Sequence, residues 1–210
     1  GDLRLSRAAA LVAVTTFALL LLLAAAPPRV ARAQPSPAAA GEPLRLIRNG
    51  ALHADDSRLH EPADGAQLPP DEPGWVVRLA IWRAHADALR RRTHPVGVLI
   101  APDDDVRALA GADGKIDPAG IAFLAVDFPV YTDGRGYSHA QLLRHRHGWQ
   151  GELRAVGDVM IDTIHYQARC GFDSFLVKPG HDPRQALAAL GAFTVHYQKA
   201  YPKPAAPVAA

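Results

Sequence analysis

The stretch DFPVYTDGRGYSHAQLL, residues 127–143, gathers an acid, a guanidinium, two glycines and a hydroxyl where an apolar run gives way to an amphipathic one. That mixture suits anion recognition. A helix amino terminus offers unpaired N–H groups and the positive end of the dipole. Gly134 and Gly136 let a backbone come close, and Arg135 can add a forked, charge-assisted contact. Asp133, Gly134, Arg135, Gly136 and Ser138 are therefore candidate ligand-binding residues, joined by Arg154 from the following strand, with a phosphate or other small oxyanion as the guest. Ser138 and Gln141 stand at capping-box spacing and Tyr137 and Leu142 at that of a hydrophobic staple, so the helix is expected to begin at Ser138. Plain turn chemistry would account for the same glycines.

A second constellation follows in GDVMIDTIHYQARCGFD. Asp158, Asp162, His165 and Arg169 recur at helical spacing. They read either as a solvated, salt-bridged face or as a site in which Asp158 and Asp162 act as general bases or ligand acceptors. Cys170 falls at a helix carboxyl end, which disfavours a thiolate, so packing is its expected role. The ten histidines show no HExxH or Cys/His ligand spacing, and His145 and His147 are two apart; solvated or capping histidines are expected, and no metal site. Gly134, Gly136 and Ala140 echo a dinucleotide loop only loosely, because five residues separate Phe128 from Gly134.

The elements that must position these groups alternate. WVVRLAI (75–81), VGVLIA (96–101), IAFLAVDF (121–128), ELRAV (152–156) and SFLVK (174–178) read as strands, each followed by a helical segment. One of those segments is expected to run from Pro102-Asp103 to Gly111, and Asp182-Pro183 opens another. Gly148, Gly171 and Gly191 can each close a helix in the left-handed conformation. Asn49-Gly50 marks a hairpin turn. The pattern predicts an α/β fold with a mostly parallel sheet of about five strands, either open and doubly wound or an incomplete barrel. Both forms bind ligands at the carboxyl ends of their strands. Polar residues gather there: Asp103 to Asp105, Asp127, the 133–138 loop, Asp158, Lys178 and His181.

Bulk composition narrows the class. Of 210 residues, 49% are apolar and 21% charged, values that support a packed core. A net charge of +2 argues against nucleic acid, and a single cysteine excludes an intramolecular disulfide framework and a conventional multi-Cys cluster site. Residues 8–26 form an apolar run after Arg4 and Arg7 and before Ala31-Arg32-Ala33, the order of a secretory signal or membrane anchor. The alternative is that this leader is not native protein. Residues 1–43 are thus set apart as leader and Pro/Ala linker, 44–200 as one α/β domain, and 201–210 as a disordered tail.

The run from Leu124 to Phe175, with TDGRGYS, GELRAVGD and RCGFD taken together, resembles a bacterial family of unknown function. APDDD and DPRQALAAL extend the likeness over most of 44–200. Its members are described as oxidoreductases of sulfite reduction because their genes lie beside sulfite reductase. The resemblance implies an accessory role in assimilatory sulfite reduction, with sulfite reductase or another sulfur-assimilation protein as partner. The alternative is a genuine oxidoreductase or acid/base enzyme with a separately bound nucleotide or flavin; the reaction and any cofactor stay open. Matching positions include Asp127, Asp133 to Ser138, Arg144, Arg154, Asp158, Asp162, Arg169 and Cys170, while Val130 stands where the family commonly has Lys. The leader lies outside the resemblance, and sulfur assimilation is cytoplasmic. The cytoplasm is the expected compartment, with export or anchoring through residues 8–26 as the alternative.

Overall fold

Asn49 and Gly50 both take positive φ, 52° and 73°, the geometry of a tight hairpin turn. They join strand β1 (Arg45–Arg48) to β2 (Ala51–Ala54), paired antiparallel with Arg48 opposite Ala51. The computed structural model describes residues 45–62 and 67–192, all within one compact unit. The leader, the linker and the tail anticipated from the sequence lie outside the described residues.

Six parallel strands follow in chain order: β3 (Arg58–Leu59), β4 (Trp75–Arg78), β5 (Val96–Ile100), β6 (Ile121–Phe128), β7 (Leu153–Gly157) and β8 (Ser174–Leu176). Their order in space is the same as in sequence, and β1 adds antiparallel to β8 with β2 outside it. Because the order never reverses, there is no switch point of the doubly wound kind. The sheet curls instead into a half-barrel with helices between its strands. The five strands read from the sequence are β4 to β8. The two-residue β3 has no apolar alternation to betray it.

Alternation along each strand sorts the side chains. Val77, Val98, Ile100, Leu124, Val126, Phe128, Leu153, Ala155 and Phe175 pack with the helices in the main core. The helices supplying that core are α1 (Leu79–Arg90), α2 (Arg135–Gln141), α3 (Ile161–Cys170) and α4 (Pro183–Leu190). Val76, Phe123 and Ala125 form a smaller cluster with Leu99 and Val156 on the opposite, concave face. The parallel register then carries Arg78, Asp127 and Arg154 to that face as well, since Arg78 pairs with Leu99 and Asp127 with Val156.

Several local expectations are corrected. The segment after β5 is no long helix: Asp104 Oδ2 accepts the Ala101 N–H at 2.7 Å and Asp105 caps a single 3₁₀ turn, Val106–Leu109. Short Asp side chains that satisfy backbone donors locally compete with helix. Gly148 and Gly171 do take the left-handed conformation, at φ 69° and 112°, whereas Gly191 sits at −96°. Asp182 caps α4 as its sequence predicts.

A buried arginine holds the α2 and α3 ends to the sheet. α2 continues into a wider π turn, Leu142–Arg146, from which Arg144 enters the interior with its side chain wholly buried. Its Nε donates to Gly171 O, and its Nη1 to Trp149 O and Gly151 O, each at 2.9 Å. Nη2 pairs with Asp173 at 2.8 Å, and the other Asp173 oxygen accepts the Leu153 N–H at 2.9 Å. One guanidinium thus ties the approach to β7 to the RCGFD turn. In sequence an arginine reads as surface, so this role was not visible.

Candidate functional site

The carboxyl ends of β4 to β8 form a rim where β4 places Arg78, β6 places Asp127, the connecting loops place Asp103, Asp133, Asp158 and Lys178, and the start of α2 places Arg135. The loop after β6 is folded by its own polar groups: Asp133 N–H donates to Val130 O at 2.9 Å, and Asp133 Oδ1 accepts the Arg135 N–H at 3.0 Å. That side-chain turn starts α2 at Arg135, three residues before the expected Ser138, which is exposed within the helix. Tyr137 N–H donates to Gly134 O at 3.2 Å, so two of the first N–H groups are already engaged. The Tyr137 ring packs on Phe128 and Tyr166, at 5.2 and 5.1 Å between centroids, while Leu142 is left largely exposed. The two glycines also differ. Gly134 has open space around it, whereas a methyl on buried Gly136 would lie 2.5 Å from the Phe128 ring. Gly136 is needed to seat the helix on the sheet.

Arg135 is gripped from below. Asp133 accepts from its Nε at 3.0 Å and from Nη2 at 2.6 Å, which holds the carboxyl down at a pKa of about 2, the side-chain bonds from Arg135 contributing most and its backbone N–H next. Nη1 meets Asp103, a carboxylate 90% exposed on the loop after β5. The guanidinium is oriented by one acid and capped by another.

Asp158 is a brace. Its Oδ2 accepts the Tyr131 N–H at 2.8 Å and its Oδ1 pairs with Lys178, which together lower its pKa, Lys178 first. It lies between β7 and α3, as the sequence reading has it, and Asp162 is exposed in the first turn of that helix. Arg154 does not join the loop. It lies near the amino end of β7 on the concave face, 4% exposed, paired with Glu152 at 2.8 Å and Asp55 at 3.4 Å and stacked 3.7 Å from the Phe123 ring centroid. Ser174 Oγ donates to the same Glu152 at 2.7 Å. Of the residues proposed from sequence, Asp133, Gly134, Arg135 and Gly136 come together at the loop and the start of α2, with Ser138 exposed further along that helix; Asp158 holds the loop through Tyr131, whereas Asp162 faces solvent on α3 and Arg154 is engaged elsewhere by Glu152 and Asp55.

Of the histidines expected to be solvated or capping, His139 and His147 are buried, and His147 caps the π turn. His139 Nε2 meets Pro102 O at 3.1 Å and His147 Nδ1 meets Gly114 O at 2.9 Å, each pinning a neighbouring loop. Cys170 is buried and its thiol pushed up by burial. Among the described residues no three His, Cys, Asp or Glu side chains converge as a metal-ligand group.

One residue outside the sequence-derived site stands out. Asp127 is half-buried at the carboxyl end of β6, and burial raises its pKa while the charge of Arg78 pulls the other way. Among the described residues its side chain accepts no hydrogen bond, unlike Asp103, Asp133 and Asp158. Gly157, at φ 88°, makes its space: a Cβ there would lie 2.6 Å from Asp127 Oδ1 and 2.5 Å from Phe128 O. The signal was a lone acid closing the apolar run IAFLAV. Arg78, paired with Glu61, also lines a cavity of about 430 Å³ with His60, Pro62, Ala80, Ile81 and Ala84.

No helix among the described residues is long and apolar enough to cross a membrane. No curated protein is similar enough to match the chain. Residues 97–208, more than half of the chain, match the model of a family described as bacterial protein of unknown function (DUF934), and the chain belongs to that family.

Proposed function

We propose that the protein is a cytoplasmic accessory factor of assimilatory sulfite reduction that holds a small oxyanion on Arg135 and docks on the reductase or a neighbouring sulfur-assimilation protein. The sequence resemblance supports the pathway; the state of Arg135 supports the anion. Asp133 takes the Nε and Nη2 edge and fixes the guanidinium plane, while Nη1 is turned toward Asp103. A carboxylate as exposed as Asp103 is an exchangeable partner, because surface ion pairs contribute little and are screened by salt. An oxyanion such as sulfite or sulfate can take its place on a donor that is already oriented, so little ordering entropy opposes binding. Open space at Gly134 leaves room beside it.

The acid/base alternative on Asp158 and Asp162 has less in its favour. Asp158 is held ionised by Lys178 and the Tyr131 amide, which suits an acceptor and works against a general base, and Asp162 faces solvent.

The test is sulfite binding by calorimetry at fixed ionic strength. Arg135→Ala should weaken it about tenfold or more. Asp103→Asn should strengthen it, since the competing carboxylate is gone, and Asp133→Ala should weaken it by freeing the guanidinium. Co-purification with the reductase checks the docking half. Equal sulfite affinity in wild type and Arg135→Ala would remove Arg135 from the site.

A further inference from the structure

We infer that the cavity at the junction of β4 and α1 binds a short-chain carboxylic acid as its anion, with the carboxylate on Arg78 and the hydrocarbon tail along α1. β4 runs into α1 without a loop, so Arg78 is both the last residue of the strand and the residue that precedes the first helical turn. The cavity therefore lies at the carboxyl rim of the parallel strands, where barrel-like sheets hold their ligands. Its volume of about 430 Å³ falls within the range of small-molecule sites, roughly 300–1,000 Å³. This site shares no residue with Arg135.

The lining has the two parts such a ligand needs. Arg78 supplies a forked donor, and the carboxylate of Glu61, also on the cavity wall, already rests on it. That contact shows which anion the guanidinium accepts here, and a ligand carboxylate can take over the same donor. Both side chains are exposed, Arg78 at 50% and Glu61 at 59%, and ion pairs so exposed exchange readily because they contribute little and are screened by salt. The first turn of α1 brings no acid to oppose the charge. Away from Arg78 the wall is apolar. Ala80 and Ala84 lie one turn apart on α1 and are exposed, Ile81 packs between them, and Pro62 joins them from the segment after β3. The two alanines leave the space that a longer side chain at either position would fill. His60 is a fixed end wall, with Nε2 2.6 Å from Gln67 O and its ring edge-on to Trp75 at 5.8 Å between centroids. A cavity held in this way loses little entropy when a ligand enters.

Butyrate and hexanoate share the carboxylate and differ only in the tail. Titrated into the full chain at fixed ionic strength and followed by amide NMR shifts at Ala80, Ile81 and Ala84, hexanoate should bind about tenfold more tightly than butyrate, since each buried methylene adds about three- to fourfold. Arg78→Gln should weaken hexanoate about tenfold or more, and Glu61→Gln should strengthen it by removing the competing carboxylate. Ala84→Leu, at an exposed helix position that tolerates a longer side chain, should cancel the advantage of the longer tail. The inference is overturned if hexanoate shifts none of these amides up to about 20 mM, a range that detects even millimolar binding. Affinity that is independent of tail length, or unchanged in Arg78→Gln, overturns it equally.

Discussion

Replacing Arg144 by Met keeps the apolar stem of the side chain and deletes its guanidinium. Three backbone carbonyls, of Trp149, Gly151 and Gly171, then lose their donor, and Asp173 loses its cation. Removing one partner from a buried ion pair costs about 3–5 kcal/mol, and unsatisfied carbonyls push toward the upper end of that range. Against a total stability of about 5–15 kcal/mol the loss is severe but survivable. Urea denaturation followed by circular dichroism gives the number. A partner variant exposes the mechanism: Asp173→Asn keeps an acceptor for the Leu153 N–H but removes the charge, so Arg144→Met with Asp173→Asn should lose less than the two single losses summed, by more than about 1 kcal/mol. The pH dependence has a definite sign. Burial already raises the Asp173 pKa, with Arg144 opposing it, and without Arg144 it rises further. A carboxyl raised in the folded state gives stability that is complete below its unfolded value and lost as pH climbs through the folded one. The deficit of Arg144→Met should therefore be smallest in acid and widen as pH rises above the ordinary carboxyl range. A loss under about 1 kcal/mol, or a deficit that widens toward acid, would refute the account of Arg144 as the clamp.

Two further outcomes follow from the loop. Gly136→Ala pushes a methyl into the ring of Phe128, itself packed on Tyr137 and Phe172, and should cost about 1–3 kcal/mol in urea denaturation, partly recovered by Phe128→Leu; no loss would mean that α2 is not seated through this contact. Asp158→Asn should speed hydrogen exchange at the Tyr131 amide, and because the folded pKa of Asp158 is lowered, wild-type protection there should hold above the unfolded carboxyl value and fall away in acid, while the variant stays flat. Protection that ignores both the substitution and pH would show that Asp158 does not hold the loop.

The strands were legible because burial on both faces leaves apolar runs such as IAFLAV, and Asp182-Pro183 signalled a helix start because its side chain has one nearby donor to satisfy. The start of α2 was misread for a related reason. Ser138 has the right spacing to Gln141, but Asp133 sits earlier and satisfies the Arg135 amide first, so the helix is under way before Ser138 is reached. Burial of polar residues was the harder quantity. Arg144, Arg154, His139 and His147 all look like surface side chains in a list of types, and only the carbonyls and carboxylates that meet them inside the fold make their burial affordable. Asp127 was read from sequence as one of the polar residues at the strand ends; its half-buried setting and its charge coupling to Arg78 across β5 come from the fold.

Why, then, is so much polar and glycine chemistry placed at one strand-to-helix junction? Most of it builds the junction. Gly136 admits the Phe128 ring, Asp158 ties down Tyr131, Asp133 caps the helix, and Arg144 anchors its far end. Those are also positions that carry the family resemblance, so a shared motif here is first of all a shared scaffold. What the scaffold leaves over is small: the Nη1 edge of Arg135, held still by Asp133 and, among the described residues, paired with the exposed carboxylate of Asp103. A donor or acceptor fixed before its ligand arrives loses little entropy on binding, which is the advantage a rigid frame confers on a weak site. The amount of structure spent on holding this loop is thus itself an argument that Arg135 has something to bind, and the Asp103→Asn titration is where that argument meets its measurement.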